Sequence, residues 1–177
     1  MAFEFPEGLA PEVYPLAWLV GRWSGSGVID HPATGKKDFT QELTFDHDGG
    51  PYLRFESTLR VVSLSDDGVS GDDGVWSTET GYWRVSTDRP DGLEDDRHPL
   101  EVVVADASGR MTMYVGAAGS GRIDLVSDAM ARTATSADVR ASKRLYGLVE
   151  SRLMWVEELA AFGEPLRNYA SAELDRQ

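Results

Sequence analysis

The sequence predicts an all-β fold, a ten-stranded antiparallel up-and-down barrel. Apolar and polar residues alternate with period two in one segment after another, as in Gln41–Phe45 and Leu53–Val61, the pattern of strands buried on one face. Short Gly-, Asp-, Ser- or Pro-bearing runs separate these segments, and connections that short join neighbouring antiparallel strands. A meander of this length hides its edges by closing on itself.

The elements follow in order. Pro11–Leu19 predicts a short helical turn ahead of the first strand, Leu19–Ile29. Asp48-Gly49-Gly50-Pro51 is a tight turn, so Gln41–Phe45 and Leu53–Val61 form a hairpin. Val75–Val85, Leu100–Ala105, Arg110–Gly116, Gly121–Ser127 and Ser142–Val149 continue the series, and Arg152–Ala161 and Pro165–Leu174 complete it. Ala107-Ser108-Gly109, Ala118–Gly121, Glu150-Ser151 and Phe162-Gly163-Glu164 supply the turns. Glu157–Ala161 has good helix propensity, but Gly163-Glu164-Pro165 is too short a link for anything but a hairpin, so the segment reads as strand. Ser136–Ala141 predicts a second helical turn. Residues 1–177 read as one domain, without repeats or linkers.

Composition excludes several kinds of chemistry. The 177 residues are 41% hydrophobic, enough for a core or an enclosed pocket. There is no cysteine, hence no disulfide, thiol nucleophile or Cys-type metal site. A net charge of −13 opposes binding to phosphate backbones, so no nucleic-acid partner is expected. No run approaches the ~20 apolar residues that span a bilayer, and Met1–Pro6 lacks the basic start of a signal peptide, which predicts a cytoplasmic protein without membrane association.

The charge is concentrated. Between Asp66 and Asp96 ten acids face only Arg84 and Arg89, which is −8 of the −13. Two runs, Ser63–Gly74 and Thr87–Pro99, therefore read as solvated acidic loops. Asp66-Asp67-Gly68 and Asp72-Asp73-Gly74 do not place oxygen ligands at alternate positions as a calcium loop does, and no metal site is expected. His31, His47 and His98 each stand beside turn-forming residues and read as solvated loop histidines. Arg54, Glu56, Glu79 and Arg84 read as an outward polar face. Met111 and Met113 share a face and read as core.

The most specific local pattern is Gly21-Arg22-Trp23-Ser24-Gly25-Ser26-Gly27. Gly21, Gly25 and Gly27 strip side chains from one strand face and leave Trp23 on it. Such a face admits either another backbone, closing the barrel base around Trp23, or a flat ligand.

This G-x-W-x-G-x-G motif occurs with Phe39–Glu42, Gly50–Leu53, Glu79–Arg84, Arg144–Tyr146 and Pro165–Leu174, in that order. With these motifs the chain resembles the nitrobindins, haem-binding β-barrels of lipocalin and fatty-acid-binding-protein (calycin) type. The resemblance implies a ten-stranded barrel, ferric haem b on a proximal histidine near the C-terminus, and isomerisation of peroxynitrite to nitrate. The family's last strand reads approximately P-L-x-x-H-L-x-A-x-L. This chain has Tyr169 at the histidine position and no histidine after His98, so it resembles the ferric nitrobindin-like members that lack the proximal ligand.

A phenol must usually lose its proton to bind ferric iron, whereas neutral imidazole binds as it is. Arg167 is the local cation that would stabilise a phenolate, and strict alternation puts Arg167, Tyr169 and Ser171 on one face, opposite Leu166, Ala170, Ala172 and Leu174. Three readings follow. In the first, the barrel binds a small apolar or haem-like ligand, haem binding and isomerase activity are lost or altered, and no catalytic residue or cofactor is expected. In the second, ferric haem persists on Tyr169 or another axial group and the chain is a peroxynitrite isomerase. In the third, Arg167 and Tyr169 hold the carboxylate of a fatty acid or apolar metabolite.

Overall fold

The alternation becomes ten strands in the computed structural model, which describes residues 5–64 and 70–177. They are β1 (Gly21–His31), β2 (Gly35–Asp46), β3 (Leu53–Leu64), β4 (Ser70–Val85), β5 (His98–Asp106), β6 (Arg110–Gly119), β7 (Arg122–Arg132), β8 (Val139–Val149), β9 (Arg152–Ala161) and β10 (Arg167–Arg176). Each pairs antiparallel with its sequence neighbours. β1 also pairs with β10, Trp23 opposite Arg176 and Ile29 opposite Ala170, so the sheet closes into a barrel.

Up-and-down order gives the barrel two different ends. The β2–β3, β4–β5, β6–β7 and β8–β9 turns gather at the end where β1 begins. There the predicted helical turn is a 3-10 helix, Pro11–Leu19, which buries Val13, Leu16, Ala17 and Leu19 in the same core as Trp23, Phe45, Leu53 and Trp83. Trp83 packs edge-on against Phe45 and Tyr146, with ring centroids 5.0 and 5.2 Å apart. This end is filled with side chains.

The glycine motif belongs to the closure. A Cβ on Gly25 would stand 2.1 Å from the carbonyl oxygen of Glu173, and one on Gly27 would stand 2.2 Å from that of Ser171. Only residues without a side chain let β1 and β10 lie this close. Trp23 donates from Nε1 to the carbonyl of Leu19 at 2.8 Å, and the Arg176 guanidinium lies 4.1 Å over its ring.

Several expectations are corrected. The Ser63–Gly74 run is not a free loop, because Ser63 and Leu64 end β3 while Ser70–Gly74 begin β4; Ser65–Val69 lie outside the described residues. The Thr87–Pro99 run is irregular through Arg97, and its first part wraps the Arg89 guanidinium, which donates to the carbonyls of Leu93 and Arg97 at 3.1 and 2.8 Å. The described parts of the first run, Ser63–Leu64 and Ser70–Gly74, and the Thr87–Pro99 run therefore lie at opposite ends of the barrel. Ser136–Ala141 is not helical: Val139 is buried and already paired with Ala161 at the start of β8. Met111 and Met113 stand on the outer wall, about half exposed, because Thr112 and Tyr114 take the inward positions of β6. Among the described residues no helix is long and apolar enough to cross a membrane.

Candidate functional site

The other end of the barrel encloses a cavity of about 470 Å³, within the size range of small-molecule sites. Leu43, Phe55, Leu59, Val139 and Leu159 supply apolar wall, and Gln41, Ser57, Glu79, Arg144, Trp155 and Glu157 supply polar wall. The division follows from parity. On β3 the inward series Leu53, Phe55, Ser57, Leu59 turns polar partway along the strand, and on β4 Glu79 shares its face with Trp83.

The polar wall is held by two hydrogen-bonded groups. Arg144 donates from Nη1 and Nη2 to the two carboxylate oxygens of Glu79 at 2.9 and 2.6 Å, and from Nε to Oε1 of Glu157 at 3.0 Å. The hydroxyl of Tyr114 donates to Ser142 at 3.0 Å, and Ser142 donates to the same Oε1 at 2.7 Å. Trp155 Nε1 donates to Gln41 at 2.7 Å, and Gln41 donates to Ser57 at 2.9 Å. Burial works against the charge of Arg144, but the carboxylates of Glu157 and Glu79 outweigh it and hold the guanidinium protonated. Buried charges persist when paired and hydrogen-bonded in this way. Reading Glu79 as part of an outward face is thus corrected; its side chain points into the cavity. Arg54, Glu56 and Arg84 do face outward.

Two aromatic side chains meet across the mouth. Trp76 Nε1 donates to the hydroxyl of Tyr169 at 2.9 Å, although β4 and β10 are separated by three strands. Both residues sit in β-bulges. Asn168 opposes Glu158 while Ala170 opposes Glu157, leaving Tyr169 as the extra residue; Leu59 opposes Ser77 while Arg60 opposes Val75, leaving Trp76. A bulge re-aims the residue it inserts. This overturns the strict alternation expected for β10: Tyr169 lines the cavity although Ala170, Ala172 and Leu174 also face inward. Burial pushes the Tyr169 phenol up to about 12, despite the hydrogen bond from Trp76, which favours the phenolate.

Arg167 does not join it. Its guanidinium pairs with Glu164 at 3.1 Å on the outside, and it is not among the residues lining the cavity. His31 is not the solvated histidine expected. It ends β1 almost completely buried, with Phe162 and Tyr169 packed on its ring at 5.7 and 6.1 Å. Its Nδ1 accepts from the Ala33 amide at 3.2 Å, and its Nε2 has no hydrogen-bond partner among the described residues. His47 is partly buried and His98 is exposed at the start of β5. None of the three histidines, and none of Gly21, Trp23, Gly25 and Gly27, lines the cavity. Among the described residues no cluster of three or more His, Asp or Glu is arranged to hold a metal ion. Sequence reasoning missed Trp76, Arg144 and Glu157, although Arg144 shares strand parity with Tyr146, and Glu157 with Trp155 and Leu159.

Comparison with known proteins places this barrel. The model of the THAP4-like, heme-binding beta-barrel domain matches residues 12–176. A ferric nitrobindin-like protein of Kineococcus radiotolerans is 45% identical, over 92% of this chain and 91% of its own. A peroxynitrite isomerase of Clavibacter sepedonicus is 35% identical over 97% of each chain. The crystal structure of Rv2717c from M. tuberculosis superposes with a TM-score of 0.77 at 29% identity, covering 96% of this chain and 99% of that one. The closed ten-strand barrel and the family match over nearly its whole length make this chain a member of the nitrobindin family.

Proposed function

We propose that the chain is a small-ligand-binding barrel in which Tyr169 stands where the family has its haem-iron histidine, and in which haem binding and peroxynitrite isomerisation are lost. When bound on such a histidine, haem supplies the ferric centre at which peroxynitrite would rearrange. The observation that carries this reading is the Tyr169 hydroxyl: burial makes its phenolate harder to form than that of a free tyrosine, and its oxygen, the atom an iron would have to take, accepts the Trp76 hydrogen bond. A ferric-iron tyrosine is a phenolate, and the cation nearest in sequence, Arg167, is engaged by Glu164 outside the cavity. His31, the other nearby nitrogen donor, lies behind Tyr169 and Phe162 and off the cavity wall. These residues do not fit an iron-ligated haem.

Hemin titration followed by absorbance tests the proposal. The expected result is no stoichiometric Soret shift, and a stoichiometric shift at micromolar affinity or tighter would overturn it. Tyr169→His is expected to gain such a complex, because the bulge belongs to the strand register and keeps position 169 facing the cavity. No gain in that variant would mean that the cavity itself, beyond position 169, has ceased to accept haem.

A further inference from the structure

Resting on the reading of this cavity as a small-ligand site, we propose that its inner end selects a ligand with a cationic, hydrogen-bond-donating head, an ammonium or amidinium on an apolar body, and rejects carboxylates. The argument is one of charge balance. Two carboxylates, Glu79 and Glu157, face a single guanidinium on the cavity wall. Each nitrogen of Arg144 already donates to one of them. At the rim, Asp106 and Arg110 neutralise each other at 2.8 Å. The uncompensated charge of the cavity wall is therefore one carboxylate.

Its position is specific. Oε1 of Glu157 takes both Arg144 and Ser142, whereas Oε2 makes no hydrogen bond among the described residues, on a side chain 8% exposed. Tyr146, 3% exposed and lining the same cavity, likewise has no hydrogen-bond partner for its hydroxyl among the described residues. Both groups accept hydrogen bonds, and the faces of Phe55, Tyr146 and Trp155 nearby suit a cation. An entering ammonium compensates the surplus carboxylate and satisfies these acceptors. An entering carboxylate meets like charge, and the one guanidinium is already shared between two carboxylates. Arg144 therefore does not serve as the buried arginine of a fatty-acid carrier. The body of the ligand lies along Leu59, Val139 and Leu159 toward the mouth.

The test is calorimetric titration of the intact chain with decylammonium and with decanoate, which share a tail and differ in the sign of the head. It is run at about 1 M NaCl, where screening within ~3 Å suppresses attraction to the net charge of the surface. Decylammonium is expected to bind at least roughly tenfold more tightly, the scale of one charge-assisted hydrogen bond. Glu157→Gln is expected to erase the preference, and Glu56→Gln, on the outer wall, to leave it intact. Equal or tighter binding of decanoate, or no binding of decylammonium, overturns the proposal, as does a preference untouched in a folded Glu157→Gln variant. Should that variant not fold, the comparison on the unmodified chain still decides. Failure here is distinct from failure of the functional reading, which hemin binding would show.

Discussion

Tyr169 and Tyr114 share a property that sets how the protein responds to alkali. Burial raises both phenols to about 12, and it raises that of Tyr146 further still. In the unfolded chain these groups ionise near pH 10. A raised folded-state pKa means that the native form holds its proton longer. The associated stability is complete below pH 10 and is lost as pH rises toward 12. Unfolding free energy should therefore fall between pH 10 and 12, by on the order of 3 kcal/mol from Tyr114 alone, and denaturant midpoints should fall with it. Spectrophotometric titration should show these three phenols ionising late, and Tyr169→Phe should remove one late step. A Tyr169 that ionised at the ordinary pH would mean that burial does not resist phenolate formation there, and would remove that support from the functional proposal. At this scale the sequence was only partly legible. Tyr169 was identifiable as the departure from the family pattern. The partners of its hydroxyl were not, because Trp76 reaches it across the barrel from 93 residues away.

Strands explain both the successes and the failures of sequence reading. Alternation located all ten, and errors fell mainly at their ends, as with β2, which begins at Gly35 instead of Gln41. Period-two reasoning fails where a bulge shifts the register, and the two aromatic residues bridging the mouth are both bulge residues. It also fails when charge is taken as a sign of outward orientation: Glu79, Arg144 and Glu157 lie on inward faces because they satisfy one another. The glycine motif acts at this scale too. Gly27→Ala would drive a Cβ to 2.2 Å from the Ser171 carbonyl and 2.4 Å from Phe39, and is expected to lower unfolding free energy by about 3 kcal/mol or more. Gly147→Ala on β8 meets nothing within 4 Å and should change stability by less than about 0.5 kcal/mol. Urea denaturation of the two variants checks the contrast. Equal effects would mean that close approach of β1 and β10 is not what the motif provides.

For the molecule as a whole, closure was predictable from strand number and short connections, since ten meandering strands with two free edges would invite pairing with other chains. The division into a filled end and a hollow end was not. It depends on where the 3-10 helix packs and on where each inward series changes from aromatic to polar, as β3 does between Phe55 and Ser57. Charge is arranged at the same scale. The acidic run 87–99 lies at the filled base, so surface acidity by itself does not mark the mouth; the uncompensated carboxylate inside does.

The pairing of first strand with last also has a mechanical meaning. Because Trp23 lies opposite Arg176, the chain enters β1 and leaves β10 at the same end of one ladder. Tension applied to the two termini would load that ladder a bond at a time, like a zipper. Tension between Ala33, just past the far end of β1, and Gln177 would load the same strands lengthwise, with all their bonds sharing the force. Single-molecule pulling should therefore open the barrel at low force from its termini and at distinctly higher force from the Ala33–Gln177 pair. Similar forces in the two geometries would mean that the β1–β10 seam is not where the barrel yields.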